Sequence, residues 1–327
     1  MSTKLQILIS LLDKVFLKLP KNKKGGKPLK YSHSVFIVFF MVVLYKRIFR
    51  FKTMEKYAKA NYKTFGFCDA PDRKTIRRRF LELPKILTFA IPHLAVESLK
   101  YSYDTFNFRF AFVDKSVFRS LGGIWHKKQM EKGIVPHSSI DTEASWAKSA
   151  YHKWRFGYGL HVICNQYRFP VSACVTTACV KDHTLLSTLL KPLHQYIGIV
   201  VGDKGYFAIT SIKAIYEKWN ILVQTPDVFQ NFKHTTRNWF KMVYNNLVMT
   251  TQAGWLYKKR KPAIEPVFAL IKELFDLEGN SQLPYKSLKY VQPFLLTTVI
   301  LVQLLMIDNF LNKQDLASTD TFLTHFR

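Results

Sequence analysis

The sequence is short of acids. It has 22 Asp and Glu against 49 Lys and Arg, a formal net charge of +27. A charge that large opposes compaction and attracts polyanions, and mere solubility does not require it. Nucleic acid is the simplest such partner, because phosphate neutralisation supplies most non-specific affinity. Cysteine is also scarce. Cys68, Cys164, Cys174 and Cys179 lie far apart, with no CxxC pair for a zinc site and too few thiols for a disulfide scaffold. Reduced, mostly buried thiols in a cytoplasm are expected. A Gly-rich phosphate loop and a Ser-His-Asp arrangement are both missing. The first residues do not read as a signal peptide, since the apolar stretch is short and Asp13 and Lys14 interrupt it. Long apolar runs number two. Val35 to Tyr45 is too short to span a bilayer, and Phe294 to Leu311 contains Gln303 and Asp308. Both read as buried core helices, so no membrane partner is expected.

What is present begins with about a hundred residues of helical texture. Lys21 to Lys27 is a basic loop. Ser34 is placed to cap a helix running to about Arg50, apolar all round in its first turns, and a second helix over about 53–63 ends at Gly66. Pro71 to Phe80 then reads as a turn with Asp72 as N-cap, followed by a short basic helix. Such a helix behind a turn is what a helix-turn-helix reader presents to DNA; a solvated basic face is the equal alternative. Its candidate DNA contacts are Lys74, Arg77, Arg78 and Arg79.

After about Asp104 the texture changes to α/β. Strands are predicted at Phe108–Val113, Phe156–Cys164 and Phe169–Thr177, the last two joined by a turn at Asn165-Gln166. Asp182 is expected to cap a Leu-rich helix. Ile197–Val201 is a continuous apolar strand, followed by a helix over Ala208–Lys218 and a strand at Ile221–Gln224. This order gives a mixed sheet flanked by helices. Residues 226–256 read as an insertion. From Ala263 the spacing of Ile264, Val267, Phe268, Ile271, Leu274 and Phe275 is helical again. The division expected is a helical region over 1–103, an α/β domain over 104–311 and a tail over 312–327.

Three acids stand out by position. Asp114 ends the first strand, Asp203 ends the buried strand in Val200-Val201-Gly202-Asp203-Lys204-Gly205-Tyr206, and Glu265 lies near the start of the last amphipathic helix. Acids at strand ends face the rim where α/β sheets place their sites. Like charges gathered there are costly unless cations bridge them. Mg²⁺ takes such oxygen ligands, and two ions can activate the attacking oxygen and stabilise the leaving one in a phosphoryl displacement. Asp141 and Glu143 are rivals for the first acid, ranked lower because no strand-like run precedes them. Trp125-His126 reads as a structural corner, His161 as a satisfied rim histidine, and Asp104 as a cap.

From about residue 30 to 311 these segments resemble bacterial insertion-sequence transposases of the DDE superfamily, whose catalytic domain is RNase H-like. Val113-Asp114-Lys115-Ser116 is similar to the family's first strand motif, and Asp203-Lys204-Gly205-Tyr206 to its Asp-x-Gly-Tyr motif. Glu265 and Lys272 repeat its spacing of a helical Glu and a Lys two turns on. Asp141 to Ser149, leading to Phe156 to His161, looks like its linker and second strand. The resemblance implies an RNase H-like fold behind an all-helical DNA-binding region. It implies Asp114, Asp203 and Glu265 as catalytic and metal-holding residues, with two Mg²⁺ ions for which Mn²⁺ substitutes. Lys272 is implied to touch DNA phosphate. The Tyr and Arg that precede the family's Glu correspond to Tyr257, Arg260 and Lys261 with shifted spacing. Lys261 stands in the Arg place, where it keeps the charge and loses the bidentate grip. Pro266 after Glu265 suits a helix that begins about there. The implied activity is metal-dependent cleavage of double-stranded DNA at transposon ends and strand transfer to target DNA. A homodimer on DNA and a bacterial cytoplasmic, nucleoid-associated location are further expectations. A metal-dependent nuclease of the same fold and a domesticated, inactive DNA-binding protein remain the alternatives.

Overall fold

In the structure, a computed structural model, residues 3–18, 30–149, 153–225 and 253–319 are described. The basic loop at 21–27, most of the expected insertion (226–252) and the end of the tail (from 320) lie outside them.

The helical part starts with α1 (Thr3–Phe16), α2 (His33–Tyr45), α3 (Phe51–Phe65) and α4 (Arg73–Ser98). Every residue from Phe36 to Leu44 is buried, so α2 is enclosed on all sides, as its sequence demands. Its cap is Ser32, whose side chain accepts from Val35 N at 3.2 Å. Ser34 lies one position inside the helix and instead donates to Asp13 of α1. α3 ends where expected, on Gly66 at φ 79°, a left-handed position that costs glycine nothing. Asp72 caps α4 through Thr75 N at 2.6 Å. The helix is not a short reader, however. It runs 26 residues through Pro84 and Pro92 and packs along the last helix, α10 (Leu288–Leu311), and against α1, α3 and the sheet. Packing on that scale offsets the hydrogen bonds that its prolines remove.

A short helix α5 (Tyr103–Phe106) leads into the sheet. Its strands are β1 (Phe110–Arg119), β2 (Ser145–Ser149), β3 (Lys153–Asn165), β4 (Pro170–Thr177), β5 (Ile199–Val201) and β6 (Leu222–Gln224). α6 (Lys127–Glu131), α7 (Leu186–Leu190) and α8 (Ile209–Trp219) lie between them. The order is β2-β3-β1-β5-β6, with β4 on β3. β1 is antiparallel to β3, and β3 to β4, whereas β1, β5 and β6 run parallel. β2 and β4 share one edge of β3, the first beside 153–157 and the second beside 158–164. The hairpin turn is built on buried Asn165. Its amide donates to Thr105 O and Asn107 O, and its carbonyl accepts from Tyr167 N and Phe169 N, all within 3.0 Å.

The last amphipathic stretch forms α9 (Ala253–Leu274), which begins ten residues earlier than its period suggests and runs through Pro262 and Pro266. Those two prolines leave the carbonyls of Lys258 and Pro262 without their helical donors. Ala263, Ile264, Val267, Phe268, Ile271 and Leu274 are buried, and α9 packs on β1, β3 and β5, which holds the helix through both. α10 is long and apolar enough to cross a membrane, but 89% of its most apolar 18-residue stretch is buried inside the protein. Its Gln303 is fully buried and donates to Ile91 O at 2.9 Å and Pro170 O at 2.7 Å, tying α4 to β4. α10 is therefore the core helix its polar interruptions suggested.

Candidate active site

The register of two parallel strands brings the first two acids together. Phe112 of β1 pairs with Val201 of β5. Asp114 and Asp203 each follow two residues later, so they occupy equivalent positions on one face. β5 stops at Val201 while β1 continues to Arg119 against β3. The early end of β5 leaves Asp114 facing an open cleft. Asp203 turns out of its strand as the cap of a single 3₁₀ turn, accepting from Gly205 N at 2.9 Å.

α9 forms another wall. Glu265, Phe268, Ala269 and Lys272 fall at helical positions i, i+3, i+4 and i+7, one stripe of the helix, and all four line the cleft. Asp114, Lys115, Lys148, Arg155, Asp182 and Asp203 line it too, around a volume of about 560 Å³. Glu265 is exposed, whereas Lys272 is half-buried, and burial and then the charge of Arg155 lower its pKa.

Asp114 has the most perturbed carboxyl in the cleft. Burial lifts its pKa to about 6; Arg260 pulls it down and the charge of Asp203 adds to the rise. Its Oδ1 accepts from Lys115 N at 2.8 Å and its Oδ2 from Arg260 Nη1 at 2.6 Å. Seen from Arg260 the same contact is favourable: burial opposes its charge, but Asp114 wins and the pKa is raised. Arg260 thus takes the place at the site that the sequence spacing gave to Lys261, which is exposed on α9. A helix turns about 100° per residue, so one residue of shift exchanges a buried face for a solvated one. Tyr257 lies beside Arg260, with the guanidinium 5.9 Å from its ring.

Several residues at this site were not anticipated. Asp182 is a further acid of the cleft rather than the cap of a helix. Its Oδ1 meets Lys115 Nζ at 2.5 Å, and that ammonium also reaches Ala178 O and Val180 O. Burial raises the Asp182 pKa and Lys115 opposes the rise. Gly205 is wedged between acids: a Cβ there would stand 2.5 Å from Asp182 Oδ2 and 3.1 Å from Asp203 Oδ1. Beneath this turn, fully buried His161 contacts Tyr206 OH and Thr176 Oγ1, each at 3.2 Å. Thr176 spends its proton on Thr177 O, so His161 carries hydrogen on Nε2 and accepts from Tyr206 at Nδ1. Burial, then the charge of Lys115, lowers the His161 pKa to about 3. His161 is satisfied, as expected, and it anchors the Asp203–Tyr206 turn. Arg155 donates to Val117 O and Gly279 O, and burial and Arg119 depress its pKa. A Tyr-His-Lys-Trp-Arg run of alternating character gives no hint from sequence that its fifth residue reaches a cleft.

The rival acids lie elsewhere. Buried Asp141 accepts from Tyr158 OH, Glu143 N and Ser287 N. Glu143 accepts from Ser287 Oγ at 2.7 Å and Leu288 N at 2.8 Å, so it caps α10 from across the molecule. Trp125 and Trp146 form the structural corner, Trp146 donating to Trp125 O and Trp125 to Ile134 O.

The basic residues of α4 separate into two groups. Lys74, Arg77 and Arg78 line a surface recess with Leu81, Glu82 and Lys85, and Arg77 also donates to Tyr290 OH at 2.7 Å. Arg79 is buried. It donates to Tyr31 O, touches His33 and Glu82, and lies over the Phe36 ring. Its expected role at DNA does not fit that position; it knits α4 to α2. Ile76 and Phe80 face inward, and Arg79 falls at i+3 of Ile76 on the same side.

Whether the acids suit a divalent cation can be judged from the donor set. Asp114 and Asp203 are hard oxygen donors at equivalent strand positions, each within the other's field, and a cation between them would relieve that repulsion. Glu265 shares the cleft, but among the described residues no three Asp, Glu, His or Cys side chains converge closely enough to hold one ion. The pair fits a cation; the trio is not closed around it.

A mixed sheet of order β4-β3-β1-β5-β6, with one carboxylate midway along β1 rather than at its end, a second just past the parallel β5 and a third on a covering helix, defines an RNase H-like α/β protein. Residues 125–281 match the family model described as a transposase DDE domain. The matched segment contains Asp203 and Glu265 and begins after Asp114. No curated protein matches the chain. Among solved structures, a cryo-EM structure of a piggyBac transposase synaptic complex with hairpin DNA is similar over 100% of this chain and 77% of that one. Its identity is 9% and its TM-score 0.44.

Proposed function

We propose that this chain cleaves double-stranded DNA at transposon ends and joins the freed 3′-hydroxyl to target DNA at the cleft of Asp114, Asp203 and Glu265. The observation that carries this reading is that one cleft collects all three acids and Lys272, residues that lie far apart in sequence. Asp114 and Asp203 would hold Mg²⁺ or Mn²⁺, with Glu265 on the α9 wall. A bound cation supplies charge stabilisation at the transferring phosphoryl group and lowers the pKa of bound water. Lys272 and Arg155 place positive charge where the flanking phosphates lie, and the Asp182–Lys115 pair and His161 fix the turn that bears Asp203. Hydrolysis and strand transfer are both displacements at phosphorus, so neither needs a nucleophilic side chain. Lys74, Arg77 and Arg78 supply sequence-independent affinity from the α4 surface, and two copies act together on paired DNA ends in a bacterial cytoplasm.

The test is cleavage and strand transfer of labelled DNA carrying the element's ends with Mg²⁺, comparing the wild type with Asp203→Ala. Metal-dependent products from the wild type alone support the reading. Products from both move the site elsewhere, cleavage without joined products marks a nuclease, and tight binding without products marks an inactive DNA-binding protein.

A further inference from the structure

We propose that Arg260 is a resident counter-ion of Asp114, which keeps divalent cations weakly bound until DNA phosphate draws the guanidinium away. This rests on the transposase reading and adds a condition to it: the cation site is completed by substrate.

Both oxygens of Asp114 are already engaged. Oδ2 faces Arg260 Nη1 at 2.6 Å and Oδ1 faces the Lys115 amide at 2.8 Å. A cation approaching Asp114 therefore meets a buried like charge at the oxygen it needs. The pairing leaves much of the guanidinium unused. Its contact with Asp114 is through one nitrogen, and among the described residues its buried Nε has no hydrogen-bond partner. A fork with spare donors can grip two oxygens of a phosphate, which a lone Nη1 contact with a carboxylate does not match. Arg260 reaches the cleft through Asp114, which lines it. In the absence of DNA the guanidinium neutralises Asp114. Phosphate contact then uncovers Asp114 at the moment substrate is present, which limits hydrolysis by an idle enzyme.

The experiment is Mn²⁺ binding to the full chain, followed by the electron paramagnetic resonance signal of the free ion, with and without a short DNA duplex. Arg260→Gln is expected to bind Mn²⁺ at least about tenfold more tightly than the wild type without DNA. Adding duplex should tighten wild-type binding more than that of Arg260→Gln, so that the two converge. Arg260→Lys, which keeps a cation and loses the fork, should fall between them without DNA. It keeps the test in force if the Gln variant does not fold, because a wild-type affinity for a folded Lys variant contradicts the idea. Equal or weaker Mn²⁺ binding by folded Arg260→Gln overturns it and makes Arg260 a support for the site. Wild-type binding indifferent to duplex removes the coupling to DNA. If Asp114→Asn and Asp203→Asn both bind Mn²⁺ like the wild type, the transposase site itself is misplaced, a failure distinct from that of the counter-ion.

Discussion

Substituting Gly205 by alanine tests the turn that carries Asp203. The added Cβ would lie 2.5 Å from Asp182 Oδ2, about half an ångström inside the closest approach that real Cβ atoms show. The obstacle is a side chain, so in principle it can retreat. Asp182 is not free to do so, because its other oxygen meets Lys115 Nζ at 2.5 Å and that ammonium is also drawn to two carbonyls. On the other side Asp203 Oδ1, at 3.1 Å, must give a few tenths of an ångström. Overpacking of this kind costs about 1–3 kcal/mol. Gly205→Ala is expected to lose that much in urea denaturation and, under the proposed function, to lose DNA cleavage more severely, since it displaces the Asp203 carboxylate. In an Asp182→Ala background the obstacle is gone, and adding Gly205→Ala should cost less than about 0.5 kcal/mol, a coupling of at least about 1 kcal/mol. Equal costs in the two backgrounds, or a single variant within about 0.3 kcal/mol of wild type, would refute the argument. Gly157→Ala is the upper reference: its Cβ would stand 1.9 Å from the backbone oxygen of Phe118, which cannot rotate away, and a soluble, folded variant would contradict the β1–β3 register.

Further expectations concern pH, capping, the core and DNA. His161 has a folded pKa near 3 against an unfolded value near 6.5, so the unfolded chain takes the proton first and stability falls as pH drops below 6.5, by about 1.4 kcal/mol per unit. Asp114 opposes this between pH 6 and 4, because its raised pKa makes the folded state the better proton acceptor there. His161→Gln should therefore remove a loss of stability on acidification, and Asp114→Asn should steepen it, in urea titrations across pH 4–7. Glu143→Ala should cost about 1 kcal/mol at neutral pH through the lost cap of α10, and the difference should fade as pH falls through the depressed Glu143 pKa, where its carboxylate is lost in the wild type as well. Gln303→Leu removes two buried hydrogen bonds, to Ile91 O and Pro170 O, and should lower stability by about 1–3 kcal/mol, visible as a lower Tm. Arg78→Ala should weaken duplex binding and flatten its salt dependence with an unchanged Tm, whereas Arg79→Ala should lower the Tm; the reverse pattern would contradict the burial of Arg79.

The sequence carried most of the sheet because local rules place it, but it missed β2 and ended the first strand at Val113, where β1 runs on to Arg119. Apolar runs mark β3, β4 and β5, and a carboxylate just past a buried strand is visible as such. It did not carry partnership. That Asp203 stands level with Asp114 depends on the β1–β5 register, which no local pattern states. That Arg260 and not Lys261 reaches Asp114 depends on where α9 begins, and Pro262 and Pro266 argued locally for a later start. Packing against β1, β3 and β5 overrode them. Ser34 was preferred to Ser32 as a cap because both are chemically able, and the choice falls to which one α1 claims through Asp13. Arg79 shows the same limit: three consecutive arginines look alike in sequence, and only the inward side of α4 distinguishes the one that is core. The roles of Asp182, expected as a cap, and Glu143, weighed as a first acid, were not legible because their partners, Lys115 and Ser287, are distant in the chain.

The position of α10 has a consequence for how the molecule comes into being. Residues 288–311 pack along α4, against α2 and against β4, and Gln303 joins two of those elements. During synthesis the amino-terminal helices emerge long before the helix that closes over them. Until then the apolar sides of α2 and α4 lack their partner, so the nascent chain holds an open layer while the sheet is still being made. A ribosome that stops before residue 288 releases a chain whose amino-terminal helices still expose the apolar sides that α10 covers.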